Sequence, residues 1–128
     1  MNFQGSILLV DDEAHIRKFV SLILKQLGAT TLFEAANGVE ALEVFQRESP
    51  DLVLLDISMP LLDGLETLKK LKQIDPTCVV VMLTSMVNRQ SVDEALAQGA
   101  ANYIRKDTPK EEIAKALTTT FETCFESH

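Results

Sequence analysis

The chain alternates five times between a short apolar run and a longer stretch with an amphipathic helical period. That alternation leaves few folds open. Short apolar runs that end on polar residues suit strands buried on both faces, and the intervening stretches are long enough to return as crossover helices. Repeated βα units with short connections imply a parallel sheet with helices on both faces. For five strands the common doubly wound order is 2-1-3-4-5. The expected fold class is α/β, a flavodoxin-like (βα)5 domain.

In chain order, Ile7 to Val10 reads as β1 and ends on Asp11-Asp12. Helix α1 begins at Ala14. Its Ile16, Phe19, Val20, Ile23, Leu24 and Leu27 keep the amphipathic period, and Gly28 is the stop. Thr30 to Ala35 is β2. Asn37-Gly38-Val39-Glu40 supplies the cap and third-position acid of α2, which turns Leu42 and Phe45 inward and ends before Pro50. Leu52 to Leu55 is β3, ending on Asp56. Asp63-Gly64-Leu65-Glu66 opens α3, with Asp63 read as its cap, Leu65, Leu68 and Leu71 as its apolar face, and Asp75-Pro76 as its stop. Cys78 to Leu83 is β4 and delivers Thr84-Ser85. Helix α4 starts at Asn88 or Ser91, either of which can cap it, and runs to Gln98 with Gly99 as the stop. Its thin stripe, mainly Val92 and Leu96 with alanines, marks it as the helix held least firmly. Ala101 to Arg105 is β5 and delivers Lys106. Thr108-Pro109-Lys110-Glu111 reads as a capping box. The last helix, α5, packs through Ile113, Ala116, Leu117, Phe121 and Phe125.

A chain of 128 residues with one such pattern is expected to be a single domain, with its core from about residue 6 to 125 and no effector domain. The net charge of −7 argues against direct nucleic-acid binding and against an anionic membrane surface, both of which need a basic face. No run approaches a membrane span and no signal peptide is evident, so a cytoplasmic location is expected. Cys78 and Cys124 lack metal-ligand spacing and read as reduced structural thiols.

In an open α/β sheet, chemistry collects outside the carboxyl ends of the strands, at the point where strand order reverses. The order 2-1-3-4-5 puts Asp11, Asp12 and Asp56 together there, with Thr84 arriving from β4 and Lys106 from β5. Converging carboxylates repel unless a cation joins them. Carboxylates are the ligands of a hard divalent ion, Mg²⁺ or in its place Mn²⁺. Asp56 could then attack phosphorus to form an acyl phosphate, with Lys106 and the Thr84 hydroxyl meeting the phosphoryl oxygens.

Four pieces in order, Val10-Asp11-Asp12, Leu54-Leu55-Asp56-Ile57-Ser58-Met59-Pro60 through Asp63-Gly64, Leu83-Thr84-Ser85 and Tyr103-Ile104-Arg105-Lys106, resemble the response regulator receiver domain of two-component signalling, in its stand-alone chemotaxis-type form. The resemblance implies that a histidine kinase or phosphotransfer protein phosphorylates Asp56. It implies that Asp12, Asp56 and the Ser58 backbone carbonyl bind Mg²⁺ directly, with Asp11 acting mainly through water. Thr84 and Lys106 bind the phosphoryl group, and Tyr103 turns inward on activation. Output then passes to a downstream protein through the α4–β5–α5 face, with a homodimer of the phosphorylated form among the expected assemblies. Activity of its own is limited to weak self-phosphorylation and autodephosphorylation.

The sequence departs from the family pattern after Lys106, where Asp107 stands in place of the usual proline. A cis non-proline bond costs about 3 kcal/mol, so a trans bond and an altered β5–α5 loop are expected. Ser58 and Met86, two residues past Asp56 and Thr84, cannot steer an attacking water as a carboxylate or amide would, which implies a long-lived phosphoryl state. Other functions fit less well. An aspartyl-phosphate phosphatase of the haloacid-dehalogenase type needs an acid where Ser58 stands. A flavodoxin-like cofactor binder needs a Gly- or Ser-rich loop where Asp11-Asp12-Glu13 stands. A receiver-like module that binds partners without phosphorylation is the remaining alternative.

Overall fold

Alternate residues of each central strand face opposite sides of the sheet, and that parity builds two cores. In the computed structural model, which describes residues 5–57, 63–84 and 89–125, Ile7 and Leu9 of β1 (Ser6–Val10) pack with Leu52 and Leu54 of β3 (Leu52–Asp56). Val81 and Leu83 of β4 (Val79–Thr84) join them, and so does Ile104 of β5 (Asn102–Arg105). This face is covered by Val20, Ile23 and Leu24 of α1 (Ala14–Gln26) and by Ile113, Leu117 and Phe121 of α5 (Lys110–Phe125). The opposite parity, Leu8, Val10, Val53, Leu55, Val80 and Met82, meets the other three helices: α2 (Gly38–Glu48), α3 (Gly64–Ile74) and α4 (Arg89–Ala97). All five residues of β3 are buried, as a strand between two helical layers requires.

The sheet is parallel, in the order β2-β1-β3-β4-β5, with β2 spanning Thr31–Ala35. The doubly wound fold read from the sequence is thus the one formed. Register aligns the functional ends: Val10 pairs with Leu55, so Asp11 and Asp56 follow at matched positions on neighbouring strands. Asp56 pairs with Leu83, and Thr84 with Arg105, bringing the ends of β4 and β5 to the same edge.

Local signals explain most boundaries. Asn37 accepts from the Glu40 N–H at 2.9 Å, and Asp63 from the Glu66 N–H at 2.9 Å, so both expected caps form. Gly28 and Gly99 adopt φ of 98° and 103°, the left-handed turn that ends α1 and α4. Four expectations are corrected. Helix α4 already runs from Arg89, which places Ser91 inside its first turn and removes it as a cap; Asn88 lies outside the described residues. Its buried line passes through Val92 and Ala95, and Leu96, one step of about 100° further round, faces solvent. Helix α5 takes its first helical bond from the Pro109 carbonyl, which accepts from the Ile113 N–H at 3.0 Å, one residue later than the capping box at Thr108 implied. Phe19 also lies at the edge of the α1 stripe and is partly exposed. Cys78 is buried and Cys124 exposed, and both are free thiols.

One contact ties a helix start to the strand end that carries Asp56. The Gly64 N–H donates to the Ile57 carbonyl at 2.8 Å, and a Cβ on Gly64 would lie 2.1 Å from the Asp56 carbonyl oxygen and 2.6 Å from Ile57 Cα. Helix α3 therefore starts directly against the backbone that carries Asp56. Helix propensity alone makes Gly64→Ala stabilising by about 1 kcal/mol. The clash reverses that sign: the variant should lose about 1–3 kcal/mol by urea unfolding. A gain in stability would contradict this packing.

Candidate functional site

Asp11 emerges from β1 with its N–H donated to the Ala35 carbonyl of β2 at 3.1 Å and its Oδ1 accepting from the Glu13 N–H at 2.9 Å. It does not cap α1, whose cap position is Glu13 and lacks a side-chain cap bond. Asp56 closes β3 and is buried. Asp12 is exposed beside them. One carboxylate oxygen from each of Asp11, Asp12 and Asp56 lies within 4.8 Å of the others.

Lys106 is the counterion. Its backbone N–H donates to the Thr84 carbonyl at 2.7 Å, the last rung between β4 and β5. Its side chain, 7% exposed, reaches back along the sheet edge to place Nζ 2.6 Å from Asp11 Oδ2 and 3.1 Å from Asp56 Oδ2. Burial by itself would lower the ammonium pKa. The contacts with Asp11 and the charge of Asp56 outweigh burial and hold it above the ordinary lysine value.

Asp11, Asp12, Asp56 and Lys106 converge, and Thr84 is buried at the neighbouring strand end. Tyr103 is on β5 but turned outward and 39% exposed. Ser58, Ser85 and Met86 lie outside the described residues. After Lys106, Asp107 makes a forked pair with Arg105 at 2.8 and 3.1 Å, and the described peptide bonds are trans. His15 is exposed and stands 3.7 Å from Glu13.

Two contributors were not read from the sequence, and a third, Gly64, was read as part of a motif but not for its contact. Glu13 Oε1 comes within 3.8 Å of Lys106 Nζ at the rim. Arg17 donates from Nη1 to the Asp11 carbonyl at 2.6 Å and from Nε to Glu34 Oε1 at 2.9 Å. Gly64 packs on the Asp56 backbone. The adjacency of Glu13 to the acidic pair was a signal for the first. The other two act through backbone atoms, which no side-chain motif records.

Hard oxygen donors clustered this closely suit a divalent cation such as Mg²⁺ or Mn²⁺, and Asp11, Asp12 and Asp56 are the residues that would hold it. With Lys106 beside the same oxygens, a dianionic group of phosphoryl size would also find positive charge here.

A doubly wound sheet with acids and a buried lysine at its carboxyl edge defines a flavodoxin-like domain with a charge-balanced cluster at one strand end. Comparison with known proteins makes the class specific. Residues 7–118 match the family described as the response regulator receiver domain, and the chain belongs to that family, the phosphoacceptor domains of two-component signalling. The chain is 38% identical over 114 residues to the chemotaxis protein CheY of Bacillus subtilis, covering 89% of this chain and 95% of that one. It is 38% identical over 111 residues to sporulation initiation phosphotransferase F of the same organism, covering 87% and 89%. Among solved structures, NtrX from Brucella abortus superposes with a TM-score of 0.88 at 31% identity, over 95% of this chain but 28% of that longer one. A CheX–CheY–BeF3–Mg²⁺ complex from Borrelia burgdorferi gives 0.86 at 28% identity, over 91% and 88%. Among the described residues, no helix is long and apolar enough to cross a membrane.

Removing the ammonium leaves two buried carboxylates facing each other. Lys106→Met should lower unfolding stability by about 3 kcal/mol at pH 7. A group whose folded pKa is raised contributes fully below its unfolded value and loses that contribution as pH rises through the folded one. The gap between wild type and Lys106→Met should therefore persist through neutral pH and close only above 10.5. Denaturant unfolding across pH measures this, and a gap that closes near neutrality would contradict it.

Proposed function

We propose that this chain is a phosphorylation switch that takes a phosphoryl group on Asp56 from a histidine kinase or phosphotransfer protein. The observation that carries the reading is Asp56 itself. It is a buried carboxylate at a strand end, 3.1 Å from the only lysine that reaches the acid cluster among the described residues. One Asp56 oxygen forms the new O–P bond. The P–N bond of the donor phosphohistidine breaks, its electron pair returns to the imidazole nitrogen, and that nitrogen then takes a proton from solvent. Little covalent assistance is needed; positioning and charge neutralisation supply most of the acceleration. Lys106 holds a phosphoryl oxygen from one side, and the Thr84 hydroxyl meets another. Mg²⁺, held by Asp11, Asp12, Asp56 and the Ser58 carbonyl, would neutralise further charge when bound; Mn²⁺ has the same ligand preference.

The acyl phosphate adds about two negative charges at the end of β3. In the proposed switch Thr84 moves toward that charge, Tyr103 follows from its half-exposed position into the space behind it, and the α4–β5–α5 face changes shape for a downstream protein. The short helix α4, buried mainly through Val92 and Ala95, suits a movable element. The relative solved with BeF3 and Mg²⁺ supports the reading by similarity, since BeF3 has the shape and charge of a phosphoryl group. With Ser58 and Met86 standing two residues past Asp56 and Thr84 in the sequence, where a carboxylate or amide could steer water, the acyl phosphate is expected to last minutes or longer without a phosphatase.

Incubation with acetyl phosphate and Mg²⁺, read by intact mass, tests the proposal. One phosphoryl adduct is expected on wild type, with none on Asp56→Asn and none in chelator. No adduct on folded wild type would overturn the reading in favour of a receiver that only binds partners.

A further inference from the structure

Arg17 does not touch the carboxylates of the acid cluster, yet it holds the backbone between two of them. Its Nη1 donates to the Asp11 carbonyl at 2.6 Å, and that carbonyl belongs to the peptide joining Asp11 to Asp12. Its Nε is fixed from the far side by Glu34 Oε1 at 2.9 Å. The Arg17 side chain is only 18% exposed, and its planar fork can serve two acceptors at once in a way an ammonium cannot. The segment is otherwise held on its Asp11 side, through the Asp11 N–H to Ala35 and the Asp11 Oδ1 to the Glu13 N–H. The Asp12 side chain is exposed, and no hydrogen bond or ion pair of its own orients it among the described residues.

We infer that Arg17 is a positioning residue for the cation site: by gripping the Asp11 carbonyl it sets the plane of the Asp11–Asp12 peptide and so the direction in which Asp12 presents its carboxylate. Rotating that peptide would leave Asp11 paired with Lys106 but swing Asp12 out of the 4.8 Å cluster. The inference rests on the reading of this cluster as a Mg²⁺ site.

Electrostatics and positioning give opposite signs, which makes the inference testable. Removing a positive charge beside three carboxylates should tighten cation binding if Arg17 acts through charge alone. If it acts through position, cation binding should weaken, at the lower end of the ~10- to 100-fold cost typical of groups that orient metal ligands. The experiment is calorimetric titration of the folded proteins with MgCl2, for wild type, Arg17→Met and Arg17→Lys, with circular dichroism confirming the fold. About a tenfold weaker Mg²⁺ affinity is expected for Arg17→Met. Arg17→Lys keeps the charge but not the fork and should also weaken binding, where a charge-only role predicts no change. The rate of phosphoryl uptake in the variants should recover at saturating Mg²⁺, a split that a general loss of structure would not produce. Unchanged or tighter Mg²⁺ binding in the folded variants overturns the inference and leaves the phosphorylation reading intact. No Mg²⁺ binding by folded wild type overturns both. If Arg17→Met does not fold, Arg17→Lys decides alone.

Discussion

The ion pairs of Lys106 with Asp11 and Asp56 are the constraint around which this molecule is arranged. Two carboxylates at the buried edge of a sheet cannot share that space with both charges unscreened. The ammonium at 2.6 and 3.1 Å makes the arrangement tenable. It does so from the most distant strand of that edge, so the charge balance depends on the whole sheet being in register. The Lys106 N–H bond to the Thr84 carbonyl sets where the side chain departs, and the pairing of Val10 with Leu55 sets where it must arrive.

Around that centre, the supporting contacts act mostly on backbone. Gly64 lets α3 begin against the Asp56 peptide, and Arg17 grips the Asp11 carbonyl from α1. Asp107 forms a forked pair with Arg105 across the residue that carries the ammonium. In each case a helix or loop start is fastened to the strand end that bears a functional side chain. A site made this way holds its charges close before any ligand arrives, which is the form of preorganisation that phosphoryl transfer draws on.

The fold was legible because its signal is redundant: five apolar runs, each bounded by turn residues, admit one common doubly wound order. The acid cluster and Lys106 were legible for a related reason, since topology alone carries strand ends to one edge. Asp63 and Asn37 were readable as caps because the residues three positions on confirm them. What escaped depends on tertiary contact. Ser91 looked like a cap as good as Asn88, but the helix already runs from Arg89, two residues ahead of it. Leu96 fitted the helical period but lost the inward position to Ala95, whose smaller side chain is buried there. Arg17 and Gly64 act on carbonyls and peptide planes, and composition or spacing carries no trace of that.

In the proposed switch, the strand-end charge balance and the α4–β5–α5 face are one coupled system. Amide NMR during titration of the protein with beryllofluoride in Mg²⁺ examines that coupling most directly. The account predicts a saturable transition at one equivalent, with shifts at Asp56, Thr84 and Lys106 extending to Tyr103 and along α4. Shifts confined to the immediate neighbours of Asp56, with α4 and β5 unmoved, would contradict the switch. No saturable change in the folded protein would contradict the site itself.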